Sequence, residues 1–104
     1  MKPSEILSQA GDLVAKGWTQ GAYARDAQGE SCASSDPEAA CFCATGAVRH
    51  VCPVACERVA AWPFLRKAIS NDSITLFNDH PDRTQAQVVK AFRKAAKLAE
   101  ETGQ

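Results

Sequence analysis

No stretch of this sequence approaches the ~20 consecutive apolar residues that a membrane span needs. Met1-Lys2-Pro3-Ser4-Glu5 runs straight into an amphipathic pattern instead of an apolar leader. The expectation is a cytoplasmic protein with no membrane partner. An excess of one charge is missing as well. Twelve basic residues cancel twelve acidic ones, which argues against a nucleic-acid partner, since that function normally leaves a basic footprint. There is no internal repeat, linker or low-complexity tract, and 104 residues are too few to divide. Residues 1–104 therefore read as a single domain. An even complement of cysteines is also lacking. Five of them (Cys32, Cys41, Cys43, Cys52, Cys56) without an export signal speak against a disulfide framework. They read as reduced thiols packed like small apolar side chains.

What the chain does have is helical periodicity. Ile6, Leu7, Ala10, Leu13 and Val14 form one apolar stripe. Pro3 suits the start of that helix, and Gly17 suits a left-handed position just past its end. A short hairpin is expected next, because Asp26-Ala27-Gln28-Gly29 fits a type I turn between Trp18–Arg25 and Glu30–Ala33. Asp36, Pro37 and Glu38 then resemble a helix start, and the small and apolar run from Ala39 to Cys52 predicts a central helix covered on all sides. Gly46 inside that run costs about 1 kcal/mol against Ala, which a close backbone contact or a break would explain.

Pro53 and Pro63 predict short helices over about 53–61 and 63–70, with bends at Cys52 and Trp62. Asn71-Asp72-Ser73 is a turn, Ile74–Phe77 prefers an extended form, and Asn78–Arg83 reads as a loop. Thr84-Gln85-Ala86-Gln87 fits a capping box. The helix it opens would bury Val88, Phe92, Ala95, Ala96 and Ala99, with Gly103 at its end. The fold class expected is α+β and mainly α, with four to five helices and one short β-hairpin.

Four constellations could carry chemistry. Cys41-x-Cys43 and Cys52-x3-Cys56 with His50 invite a metal reading, but the spacing departs from paired C-x2-C knuckles. On a helix, Cys41 and Cys43 would point about 200° apart. No metal and no cofactor is expected. A thiol nucleophile is the second. Cys43 and His50 on one helix would stand about 10.5 Å apart along its axis, too far for a dyad, whereas His80 or Asp79 could reach Cys43 in the fold. The third is the loop Asn78-Asp79-His80-Pro81-Asp82-Arg83-Thr84, where two carboxylates and an imidazole precede a helix; turn formation and the helix dipole explain these residue types more simply. Last, Lys90, Arg93, Lys94 and Lys97 make a basic strip that reads as a solvated face.

Three blocks stand out when taken together: Gly17-Trp18-Thr19-Gln20-Gly21-Ala22-Tyr23-Ala24-Arg25-Asp26, Phe42-Cys43-Ala44-Thr45-Gly46-Ala47, and Phe77-Asn78-Asp79 through Arg83-Thr84. In this order they resemble a family of small bacterial and phage-associated proteins, domain-of-unknown-function family 6197, over nearly the whole chain. The family pattern has an aromatic-Cys-Ala-x-Gly-Ala block on a helix; here Phe42 stands where Trp is usual. Cys32, Cys41, Cys52 and Cys56 lie outside the pattern. The resemblance implies relatives and no established activity. Physically, Trp18 and Tyr23, the Cys43–Ala47 turn and Asn78-Asp79 could meet at one place, with the Asn and Asp side chains satisfying backbone groups of the hairpin. The candidate binding residues are accordingly Trp18, Gln20, Tyr23, Arg25, Cys43, Asn78 and Asp79, with no catalytic residue assigned. The expected role is a binding or regulatory module for a protein or small ligand, a homodimer being left open. The alternative is a cysteine-dependent hydrolase using Cys43 with His80 or Asp79, so the sequence leaves open whether there is catalysis.

Overall fold

The stripe Ile6, Leu7, Ala10 and Val14 is fully buried in α1 (Pro3–Lys16), while Leu13 at its edge is partly buried against the core. The computed structural model describes all 104 residues. α1 lies antiparallel against the last helix, α6 (Gln85–Glu101), whose buried face is Val88, Ala91, Phe92, Ala95, Ala96 and Ala99. Ser4 N–H and Oγ–H both donate to the Gln104 carbonyl at one end of the pair, and Gln85 Nε2 donates to Val14 O at the other. The small stripe of alanines lets the two helices approach closely. α6 starts where the capping box places it: Thr84 Oγ1 accepts from Gln87 N, and Gln87 Oε1 accepts from Thr84 N. The mainly helical α+β fold is as expected, and no helix is long and apolar enough to cross a membrane.

The hairpin is present but very short. β1 (Ala24–Arg25) pairs antiparallel with β2 (Ser31–Cys32), in register Ala24 with Cys32. Its turn is held by Gly29 N–H donating to Asp26 O, with Gly29 left-handed at φ 82°, and Asp26 Oδ1 accepts from Gln28 N and Glu30 N. The sheet has a third member. β3 (Cys41–Phe42) pairs with the other edge of β1, giving the order β2-β1-β3.

That strand corrects the helix expected over 39–52. Asp36 closes a local turn instead of a helix, with Oδ1 accepting from Glu38 N and its carbonyl accepting from Ala39 N. A short acidic side chain before Pro serves either purpose. Phe42 is then held on two sides, donating to Gly17 O and accepting from Thr19 N, while Arg25 O in β1 accepts from Ala40 N and Tyr23 O, just before that strand, accepts from Cys43 N. Only at Ala44 does the helix begin, as α2 (Ala44–Val51). Gly17 is likewise not left-handed: its φ of −167° is ordinary extended backbone. It is glycine because a side chain there would meet Ala40 O at 2.5 Å.

Beyond α2 the chain breaks at Cys52, as expected, and then runs helically through α3 (Ala55–Arg58), a 3₁₀ turn at Val59–Ala61 and α4 (Trp62–Ile69). Trp62 stays right-handed (φ −57°, ψ −45°) despite the following Pro63, so the run tightens there and is not interrupted. Ile74–Phe77 is not extended but opens a short helix, α5 (Ile74–Asp79). Ser73 Oγ accepts from Leu76 N, a side-chain cap that outweighs the β preference of Ile74 and Thr75. A contiguous core of 19 buried residues joins α1, the sheet, α2, α4, α5 and α6.

Candidate functional site

Asn78, at the end of α5, is 1% exposed and uses its whole hydrogen-bonding capacity. Oδ1 accepts from the Trp18 indole (2.8 Å) and from Ala44 N (3.0 Å); Nδ2 donates to Thr19 O (3.1 Å) and Asp79 Oδ1 (2.9 Å). One side chain thus ties together the three sequence blocks. Around it, Gln20 Nε2 donates to the carbonyls of Asn78 and His80, and Asp79 Oδ1 accepts from Gly21 N. Arg25 donates to Thr19 Oγ1, Gln20 O and Gly29 O, which fixes the loop between α1 and β1.

Two groups from different segments cap the N-terminus of α2. Asn78 Oδ1 takes the Ala44 N–H, and the Cys43 thiol takes the Gly46 N–H at 3.2 Å. Cys43 is therefore the N-cap residue, not a position inside a helix. It is 8% exposed, and burial pushes its thiol above the ordinary value of 9.0; hydrogen bonds from Gly46 and Thr45 pull back down, and the Asp79 charge adds to the rise. Because serine is a favoured cap and can accept the same bond, Cys43→Ser should leave stability within about 1 kcal/mol of the parent. Cys43→Ala removes the acceptor and should cost about 1 kcal/mol more than the serine variant. Thermal or urea unfolding of the two variants measures this order, and an alanine variant equal to or better than serine would contradict the capping role.

Beside this frame lies a cavity of about 390 Å³. Its wall includes Tyr23, Ser31, Cys32, Cys43, Thr75 and Asp79, and Gly21, Ala22 and Asn78 complete it. The seven sequence candidates therefore divide. Trp18, Gln20 and Arg25 hold the frame and do not line the cavity, Asn78, Asp79 and Cys43 do both, and Tyr23 lines the cavity without a side-chain hydrogen bond to the frame. Ser31, Cys32 and Thr75 escape sequence reasoning. A lone hydroxyl in a turn-rich chain carries no spacing signal, and Thr75 lies in the segment expected to be extended. The Cys32 thiol is also pushed up, by desolvation first and then by the charges of Asp36 and Asp26 and by Cys41.

Neither histidine belongs to the wall. His50 Nδ1 bonds Ser34 O at 2.7 Å and its ring lies 4.9 Å from that of Phe42. His80 Nδ1 accepts from Asp82 N, so the imidazole shapes its own turn. The rest of that loop is built similarly, with Arg83 donating to Phe77 O and lying 3.7 Å over the Phe77 ring. On α6, Arg93 bonds Asp12 at 2.8 Å, while Lys90, Lys94 and Lys97 are exposed.

The hub at Asn78, joining the Trp18, Cys43–Ala44 and Asn78-Asp79 segments, is built from the same three blocks that stand out in the sequence. The chain belongs to the family of unknown function DUF6197. The match spans residues 1–98, so the hub and the cavity both lie within the family region. No curated protein and no solved structure matches the chain.

Proposed function

We propose that this member of the family is a small-ligand-binding module, and that the cavity beside Asn78 is its site. The observation that carries the reading is a division of labour among polar groups. The Asn78 side chain and the Trp18 indole at the centre of the frame have all their hydrogen bonds made, while the exposed Tyr23, Ser31 and Thr75 hydroxyls and Asp79 Oδ2 make no hydrogen bond within the protein. A concave site of a few hundred cubic ångströms with a few free polar groups on a pre-formed wall is the usual form of a ligand pocket. The five unbridged cysteines suit a reducing cytoplasm. The test is a fragment screen by ¹H–¹⁵N NMR. Binders should shift the amides of residues 21–23, 31–32, 43, 75 and 79 together; shifts scattered elsewhere, or none, overturn the reading.

The presence of Cys43 in the wall supports a second reading, thiol chemistry on the bound molecule. Opposed to it are the raised thiol, its use as a helix cap, and a wall without an imidazole. Alkylation separates the two. Under native conditions near neutral pH, iodoacetamide should modify the exposed Cys56 first and Cys43 far more slowly. A Cys43 that alkylates ahead of the other thiols would instead mark a nucleophile.

A further inference from the structure

The wall of the cavity is one-sided in charge. Asp79 is its charged residue, and no lysine, arginine or histidine lines it. One carboxylate oxygen of Asp79, Oδ1, is engaged by Gly21 N and Asn78 Nδ2; the other has no partner in the protein. The guanidinium of Arg25 lies where a side chain on Gly21 would meet it, but it is held by Thr19, Gln20 and Gly29, and that of Arg49 stacks 4.8 Å from the centre of the Tyr23 ring without lining the cavity. The remaining free groups are the hydroxyls of Ser31, Thr75 and Tyr23, all able to accept, and the half-exposed ring of Tyr23 offers apolar surface. Within the wall, burial raises the Cys43 thiol and the nearby Asp79 charge adds to the rise.

An anionic ligand would meet no donor of opposite charge in this cavity and would leave the free carboxylate oxygen facing it. An ammonium group reverses both problems, since it brings a positive charge to the free carboxylate oxygen and donors that the three hydroxyls, which can donate as well as accept, are able to take. We infer that the cavity binds a primary amine, held as its ammonium ion by Asp79, with the apolar part of the molecule against Tyr23. This inference rests on the cavity being the binding site and adds its ligand class. The same ammonium chemistry can arrive on a free small molecule or at the tip of a lysine side chain.

Benzylamine, benzyl alcohol and benzoate share one ring and differ in the charge they carry, so an NMR titration of the full chain at neutral pH with these three isolates the charge. Benzylamine should shift the wall amides and bind at least tenfold more tightly than either of the others. Asp79→Asn keeps an oxygen for Gly21 N and removes the charge; it should weaken benzylamine at least tenfold while the spectrum away from the cavity stays unchanged. Nα-acetyl-lysine methylamide tests the second source: binding tighter than benzylamine assigns the amine to a protein partner, and weaker binding to a free metabolite. If benzoate or benzyl alcohol binds the wall as well as benzylamine, or if Asp79→Asn changes nothing, the amine inference fails and the cavity remains a site for another class. Silence from every probe, together with a fragment screen that leaves the same amides unmoved, overturns the cavity as a site.

Discussion

Gly46→Ala is expected to cost about 4 kcal/mol or more, at or beyond the upper end of what overpacking usually does. Gly46 is buried in the first turn of α2, and a methyl group there would be driven into the Tyr23 carbonyl. That carbonyl cannot simply swing aside, because it accepts the Cys43 N–H that joins β1 to the end of β3. Relief therefore requires the strand and the helix to separate, which breaks the Cys43 and Ala44 caps with it. A domain of this size has only about 5–15 kcal/mol of stability, so the variant should be largely unfolded at 37 °C or melt far below the parent by circular dichroism. A Gly46→Ala protein with a parental melting temperature would mean that β1 and α2 do not approach as closely as described. The intrinsic helix preference of alanine works in the opposite direction, by about 1 kcal/mol, and is too small to decide the outcome.

Asn78→Ala should cost about 4–6 kcal/mol, the sum expected when several buried polar groups lose their partner at once. The indole N–H of Trp18, the Ala44 N–H and the Thr19 carbonyl would all be left without the side chain that satisfies them. Trp18→Phe provides the graded comparison. It removes one donor and leaves the Asn78–Ala44 bond in place, so it should cost only about 1 kcal/mol of hydrogen bonding. Chemical unfolding of both variants measures the ratio. Equal losses would show that Trp18 packing dominates and that Asn78 is not the hub.

Both predictions depend on contacts between segments, and this is where the sequence is uneven as a guide. The stripes of α1 and α6 and the Thr84–Gln87 capping box are visible because helical period and cap chemistry are local properties. The meeting of Trp18, Cys43–Ala47 and Asn78-Asp79 was legible as a combination of blocks, and the Gly46 anomaly pointed to a close approach. Strand β3 was not legible. Two residues, Cys41 and Phe42, cannot show a period of two, and the small apolar run around them fits a buried helix equally well. The same holds for α5, where Ile74 and Thr75 favour a strand and a single Ser73 cap reverses the outcome. In the cavity, the carboxylate of Asp79 and the ring of Tyr23 stand out in the sequence, but the hydroxyls of Ser31 and Thr75 acquire meaning only once the fold places them in the same wall.

The hub also sets an order on the assembly of the chain. Trp18 and Asn78 are 60 residues apart, and Ala44 and Asn78 are 34 apart, whereas β1 and β2 close over a turn of five residues, 26–30. Loop closure over such spans costs more entropy than a hairpin does, though only about 0.6 kcal/mol for each doubling of length. For a chain made from its N-terminus, the timing is therefore a matter of synthesis more than of entropy. α1 has its main packing partner only once α6 is made, and the Trp18 indole and the first N–H of α2 have only water to accept from them until Asn78 has emerged. Until then there is no wall for a ligand to meet, and a nascent chain arrested before residue 78 carries two of the three blocks without a pocket between them.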